Sequence, residues 1–112
     1  MKSFYRVGSL TVKQGLWYDP NGNFTGHIHG KFDFCLNHTL RMDYDPEIVG
    51  YLSATDSLDA LFMWFPKNDI LRLQQNDYFI YRYLATDWKW YARFNHWVIN
   101  QETSVPVERI LL

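Results

Sequence analysis

The sequence predicts a β-rich α+β domain with two short central helices, and three observations support this. Segments late in the chain are aromatic and β-branched: Phe79 to Leu84 (FIYRYL), Trp88 to Tyr91 (WKWY), Trp97 to Asn100 (WVIN) and Val105 to Leu111. Leu58, Leu61, Phe62 and Phe65 recur at helical spacing. The length of 112 residues fits a single domain, 1–112. A chain of this size buries roughly two-thirds of the surface its unfolded form exposes, so it folds without staples.

Taken in order, Ser3 to Val7 (SFYRV) reads as a strand with Phe4 and Arg6 on one face and Tyr5 and Val7 on the other. Gly15 to Tyr18 (GLWY) and Asn23 to His29 (NFTGHIH) flank Asp19-Pro20-Asn21-Gly22, the turn chemistry of a hairpin. Gly30 to Pro46 is assigned mostly to loop, since KFDFC alternates but LNHTLRMDYDP has no period. Ile48 to Ala54 (IVGYLSA) reads as a strand that stops at Ser53-Ala54-Thr55, where the helix carrying Leu58 to Phe65 begins. Pro66 ends that helix, and Asn68 to Gln75 forms a second one with Asn68 or Asp69 as its N-cap.

Charge and cysteine usage narrow the function classes. Lys and Arg number 11 against 12 Asp and Glu, a net charge of -1, so no global field attracts nucleic acid or an anionic membrane. Cys35 stands alone and makes no internal disulfide, and the start MKSFYRVG has too short an apolar run for a signal peptide. A reducing, cytoplasmic setting is the expectation. The longest apolar run, Ala60 to Phe65, is far below the roughly 18 to 20 residues that span a bilayer. Aromatic residues reach 19% (8 Phe, 8 Tyr and 5 Trp), more than a core this size hides, so some are expected to line a groove for a flat ligand.

The hydroxyls at the strand-to-helix joint have two readings. Thr55, Asp56 and Ser57 are all N-cap residue types, and a cap contributes about 1 kcal/mol without any function. A helix start also exposes free N–H groups suited to phosphate or carboxylate, with Ser53 orienting such a ligand.

The order of Tyr5-Arg6-Val7, then Tyr51-Leu52-Ser53-Ala54-Thr55 with its helix, then HWVINQETSVPVERI from His96 to Ile110, resembles the ADP-ribosyltransferase-like superfamily. Those domains carry an Arg or His on the first strand, a Ser-x-Thr or Ser-Thr-Ser element running into a helix, and a Glu near a late strand. The resemblance implies split antiparallel sheets and NAD as substrate. It implies Arg6 on the NAD phosphate or ribose, Ser53 on the nicotinamide-side ribose with Thr55 beside it, and Tyr18, Tyr51 or Trp17 against the nicotinamide. His96 stands where many members have the catalytic Glu, whereas Glu102 fits if Asn100-x-Glu102 mimics the Gln-x-Glu pattern. With Glu102 as the acid, transfer to a protein or nucleic-acid acceptor, or NAD hydrolysis, is expected. With His96 there, binding without transfer is expected, because a neutral imidazole supplies no negative charge to an oxocarbenium ion.

Other constellations point elsewhere. A non-catalytic interaction or inhibitor protein, presenting an aromatic surface to a partner, is the alternative from a different class. His27-x-His29 with Cys35-x-x-His38 has donor types for zinc but not the paired spacing of a strong zinc motif. Asp43-Tyr44-Asp45-Pro46-Glu47 reads as a solvated turn. Arg82, Lys89 and Arg93 lie among Tyr81, Tyr83, Trp88, Trp90 and Tyr91, the mixture that stacks on single-stranded nucleic acid.

Overall fold

The computed structural model describes residues 1–10 and 45–112. The expected hairpin around Asp19 to Gly22, most of the loop that follows it, and the residues Trp17, Tyr18, His27, His29, Cys35, His38 and Asp43 lie outside the described residues.

The described chain runs β1 (Lys2–Gly8), a 3-10 turn (Pro46–Ile48), β2 (Tyr51–Ala54), α1 (Leu58–Trp64), α2 (Lys67–Gln74), β3 (Phe79–Ala85), β4 (Trp88–Tyr91), a 3-10 turn (Ala92–Phe94), β5 (His96–Asn100) and β6 (Val105–Ile110). The strands form two antiparallel sheets, ordered β1-β3-β6 and β2-β5-β4. Among the described residues a single bridge joins them. The Tyr5 and Thr55 N–H groups each donate to the other's carbonyl, at 2.7 and 2.9 Å. The architecture is α+β with a split antiparallel arrangement and two short helices between β2 and β3.

Strand alternation decides which side chains each layer receives. Phe4 from β1 and Tyr81, Tyr83 and Ala85 from β3 pack against Ala54 from β2 and Ile99 from β5, closing a core between the sheets. Phe4 is fully buried there, its ring 6.0 Å from Trp88 and 5.9 Å from Trp97. Burying such a side chain is worth about 1.5–3 kcal/mol before entropy is charged. The opposite face of the first sheet, with Val7 and Ile80, takes the helical layer through Leu61, Phe65, Ile70 and Leu73. No helix among the described residues is long and apolar enough to cross a membrane.

Local chemistry moves several boundaries from their sequence-predicted places. The strand expected over Ile48 to Ala54 begins only at Tyr51. Asp45 and Pro46 start a 3-10 turn, in which Asp45 Oδ1 accepts the Glu47 N–H at 3.0 Å, and Gly50 then adopts φ 87°, outside any strand conformation. The cap of α1 is Ser57, whose Oγ accepts the Ala60 N–H at 3.1 Å. Phe65, the residue before Pro66, leaves the helical region at φ -125° and ψ 106°. Neither Asn68 nor Asp69 caps α2. Pro66, already extended, occupies the N-cap position without a side-chain bond, and Asp69 falls inside the first turn, fully buried, 3.6 Å from Arg72 Nη1.

Candidate functional site

The bridge between the sheets brings three of the sequence-selected residues together. Arg6, only 6% exposed, donates its Nε–H to the Ser53 carbonyl at 3.3 Å, and its guanidinium carbon lies 5.8 Å from the centre of the Tyr83 ring. Ser53 Oγ sits 2.9 Å from His96 Nε2, and His96 Nδ1 sits 3.1 Å from the Phe94 carbonyl. A carbonyl only accepts, so the Nδ1 position carries the proton and Nε2 accepts from the Ser53 hydroxyl. Burial pushes the His96 pKa down, with the bond to the Phe94 carbonyl opposing it. Trp64 and Tyr91 close on the imidazole edge to face, at 5.2 and 5.5 Å.

Arg6 and Ser53 meet through the serine backbone and not through its hydroxyl. Arg6 shares its face of β1 with Phe4, and Phe4 packs with Ala54 in the core between the sheets. Ser53, next to Ala54, projects its side chain to the other face of β2, where His96 receives it. The two side chains that the sequence suggested would converge on a ligand therefore leave opposite faces of the joined strands.

Thr55 is absorbed by the joint. Its Oγ1 lies 3.2 Å from the Tyr5 carbonyl and 2.8 Å from the Ser57 carbonyl, so the side chain ties the inter-sheet bridge to the start of α1. Tyr51 donates its hydroxyl to Asp87 Oδ2 at 2.7 Å, which raises the tyrosine pKa, and Lys89 Nζ stands 4.6 Å from its ring centre.

Where the sheets part, they leave an open cleft of about 840 Å³, lined among the described residues by Tyr51, Tyr83, Asn100, Gln101, Glu102 and Ser104 with apolar neighbours such as Leu52 and Pro106. A turn after β5 presents the polar wall. Asn100 Oδ1 accepts the N–H groups of Glu102 (2.9 Å) and Thr103 (3.1 Å), the Asn100 carbonyl accepts that of Ser104 (3.1 Å), and the Gln101 N–H reaches Gly50 (2.8 Å). Glu102 is exposed on this rim, whereas His96 is sealed at 3% exposure. Of the two acid candidates, only Glu102 faces the cleft.

Sequence reasoning missed two features of this site. The first is the Ser53–His96 pair, which strand register brings together across β2 and β5 and which no local spacing reveals. The second is Ser104, whose Oγ is buried without a hydrogen-bond partner among the described residues. Burial of a hydroxyl without compensation costs about 1–3 kcal/mol, which makes this atom a candidate for a ligand contact.

The basic and aromatic stretch has little free stacking surface. Tyr81, Tyr83 and Tyr91 are buried, while Arg82 pairs with Glu108 at 3.1 Å and Arg93 with Asp45 at 3.5 Å. Lys89 donates to the Glu47 carbonyl at 3.3 Å. Trp90 remains half exposed, its ring 5.2 Å from Trp97. Asp45 accepts the Tyr91 hydroxyl at 2.6 Å, the main cause of its lowered pKa, so the acidic turn is pinned to the sheet. Among the described residues no three His, Cys, Asp or Glu side chains cluster as a metal would require. No protein-family model, curated protein or solved structure matches the chain.

Proposed function

We propose that this chain is a nucleotide-binding domain of the ADP-ribosyltransferase-like type that takes NAD into the cleft between its split sheets. The observation that carries this reading is the cleft: about 840 Å³, two tyrosines and one rim carboxylate. Small-molecule sites run to roughly 300–1,000 Å³ and combine aromatic walls with a few placed polar groups. The split antiparallel sheets and the order of Arg6, Ser53-Ala54-Thr55 and Asn100-x-Glu102 along the chain support the same reading.

In this reading Arg6 supplies the positive charge for the diphosphate, and Ser53 contributes through the carbonyl that holds Arg6 Nε. The bond between ribose C1′ and the nicotinamide nitrogen breaks, the bonding pair leaving with nicotinamide. Glu102 stabilises the cation at C1′. Water, or a hydroxyl or amine of a macromolecular acceptor, then bonds to C1′ and gives its proton to Glu102. His96, neutral and sealed, has no part in that step.

Incubation with labelled NAD tests the proposal. The wild-type protein is expected to bind NAD and release nicotinamide, and Glu102→Gln to keep binding while losing turnover. Neither binding nor turnover at millimolar NAD would sink it. A second reading, a binding protein without transfer activity, is favoured by the closed Ser53–His96 pair, which leaves the hydroxyl committed to the fold. NAD binding without nicotinamide release would select it.

A further inference from the structure

The turn after β5 commits its backbone to the fold and leaves its cleft-lining side chains idle. Asn100 Oδ1 holds the Glu102 and Thr103 N–H groups, the Asn100 carbonyl holds that of Ser104, and the Gln101 N–H reaches the Gly50 carbonyl. Asn100 is braced in its turn. Its Nδ2 donates to Asp87 Oδ2 at 3.1 Å, and its N–H donates to the Asp87 carbonyl at 2.9 Å. Tyr51, which lines the cleft, donates its hydroxyl to the same Asp87 oxygen at 2.7 Å.

On this braced backbone the side chains of Gln101, Glu102 and Ser104 all line the cleft and form no hydrogen bond or ion pair among the described residues. Gln101 is half-buried, Glu102 is exposed, and Ser104 is only 9% exposed with its Oγ unsatisfied. One idle polar side chain on a surface turn is ordinary. Three within four positions of a braced turn, one of them sealed into the wall where an unpaired hydroxyl is a net loss, make a surface that a ligand completes.

The chemistry of the missing partner follows from the donors and acceptors on offer. A glutamine amide and a serine hydroxyl each donate and accept, whereas a carboxylate only accepts. Sugar hydroxyls match all three, because each donates one hydrogen and accepts on its lone pairs. A phosphate does not match: it only accepts, and its charge has the same sign as that of Glu102. Tyr51 and Tyr83 supply flat rings to a base in the same cleft.

We infer that Gln101, Glu102 and Ser104 together read the hydroxyls of a sugar ring carried by an aromatic base, so that the cleft recognises the nucleoside part of its ligand and the phosphates lie outside these walls. This rests on the reading of the cleft as a nucleotide site and names the part of the nucleotide that enters it.

Titration calorimetry on the full chain and its Gln101→Ala and Ser104→Ala variants tests this, with NAD, nicotinamide riboside, the 2′,3′-dideoxy form of that riboside, and inorganic pyrophosphate as ligands. The riboside is expected to bind within about threefold of NAD, and pyrophosphate not to bind. Each substitution should weaken NAD and the riboside about fivefold, the size of one lost hydrogen bond, with the melting temperature no lower than that of wild type. Direct contact has its own signature: removing the ribose hydroxyls should weaken binding to wild type, and weaken it less in each variant. NAD binding without riboside binding, or a dideoxy loss of equal size in wild type and both variants, overturns the inference and leaves the NAD reading intact. Riboside binding without NAD binding, with that loss reduced in the variants, supports the inference and removes the NAD reading. Binding of neither overturns both.

Discussion

The joint between the sheets and the cleft where they part place similar side chains under opposite demands. At the joint, Ser53, Thr55 and His96 each spend their polar atoms on a partner inside the fold. In the cleft, Ser104 has none among the described residues, and Glu102 stands at the rim. Arg6 belongs to the joint, bonded at Nε to the Ser53 carbonyl. Polar residues near a cleft are thus not equivalent candidates: those whose bonds close internally specify the fold, and those left incomplete are available to a ligand.

The contrast predicts the largest stability loss at the joint. His96→Ala removes a buried ring, leaves the Ser53 hydroxyl without its acceptor, and should cost about 2–4 kcal/mol in denaturant unfolding. A loss no larger than that of an exposed rim substitution would abolish the distinction. Next in size is the pH response. The folded-state pKa of His96 lies below its ordinary value of 6.5, so the unfolded chain takes up this proton first as the pH falls. The stability that the neutral, buried ring contributes is present above pH 6.5 and is lost progressively below it, down to the depressed folded value. Comparing the pH dependence of stability in wild type and His96→Gln isolates this share; identical profiles would remove His96 as its source.

Smaller effects test the elements around the comparison. Ser57→Ala removes the α1 cap and should cost about 1 kcal/mol, measurable by urea unfolding. Ser104→Ala is expected to reverse the usual sign. Deleting an unpaired buried hydroxyl should leave the apoprotein unchanged or more stable, by up to ~1 kcal/mol, while weakening NAD binding. A clear destabilisation would show that this hydroxyl is paired in solution. The smallest effect is Glu102→Gln, which should change stability by less than about 0.5 kcal/mol, as exposed substitutions usually do.

Much of the framework was legible because it depends on local rules. The alternation in SFYRV placed Phe4 toward one core and Val7 toward another, and the spacing of Leu58, Leu61, Phe62 and Phe65 located α1. The assignment of the late aromatic segments as strands, seen as β3, β4, β5 and β6, followed from their β-branched and aromatic content. The start of β2 was misplaced because IVGYLSA looks uniformly strand-like, while Gly50 adopts a conformation its apolar neighbours do not signal. The cap of α2 was misplaced because Pro66 served both to end one helix and to begin the next.

Among the described residues, what the sequence determined by itself is the main strands and helices and the face on which each side chain leaves its strand, since both follow from periods of one chain segment. It nominated Arg6, Ser53, His96 and Glu102 together. Only the tertiary structure separated them, sending the Ser53 hydroxyl to His96, its carbonyl to Arg6, and Glu102 to the cleft rim. The physical reason is that pairing β2 with β5, and bridging β2 to β1, fixes contacts between residues more than forty positions apart. No local spacing carries that information.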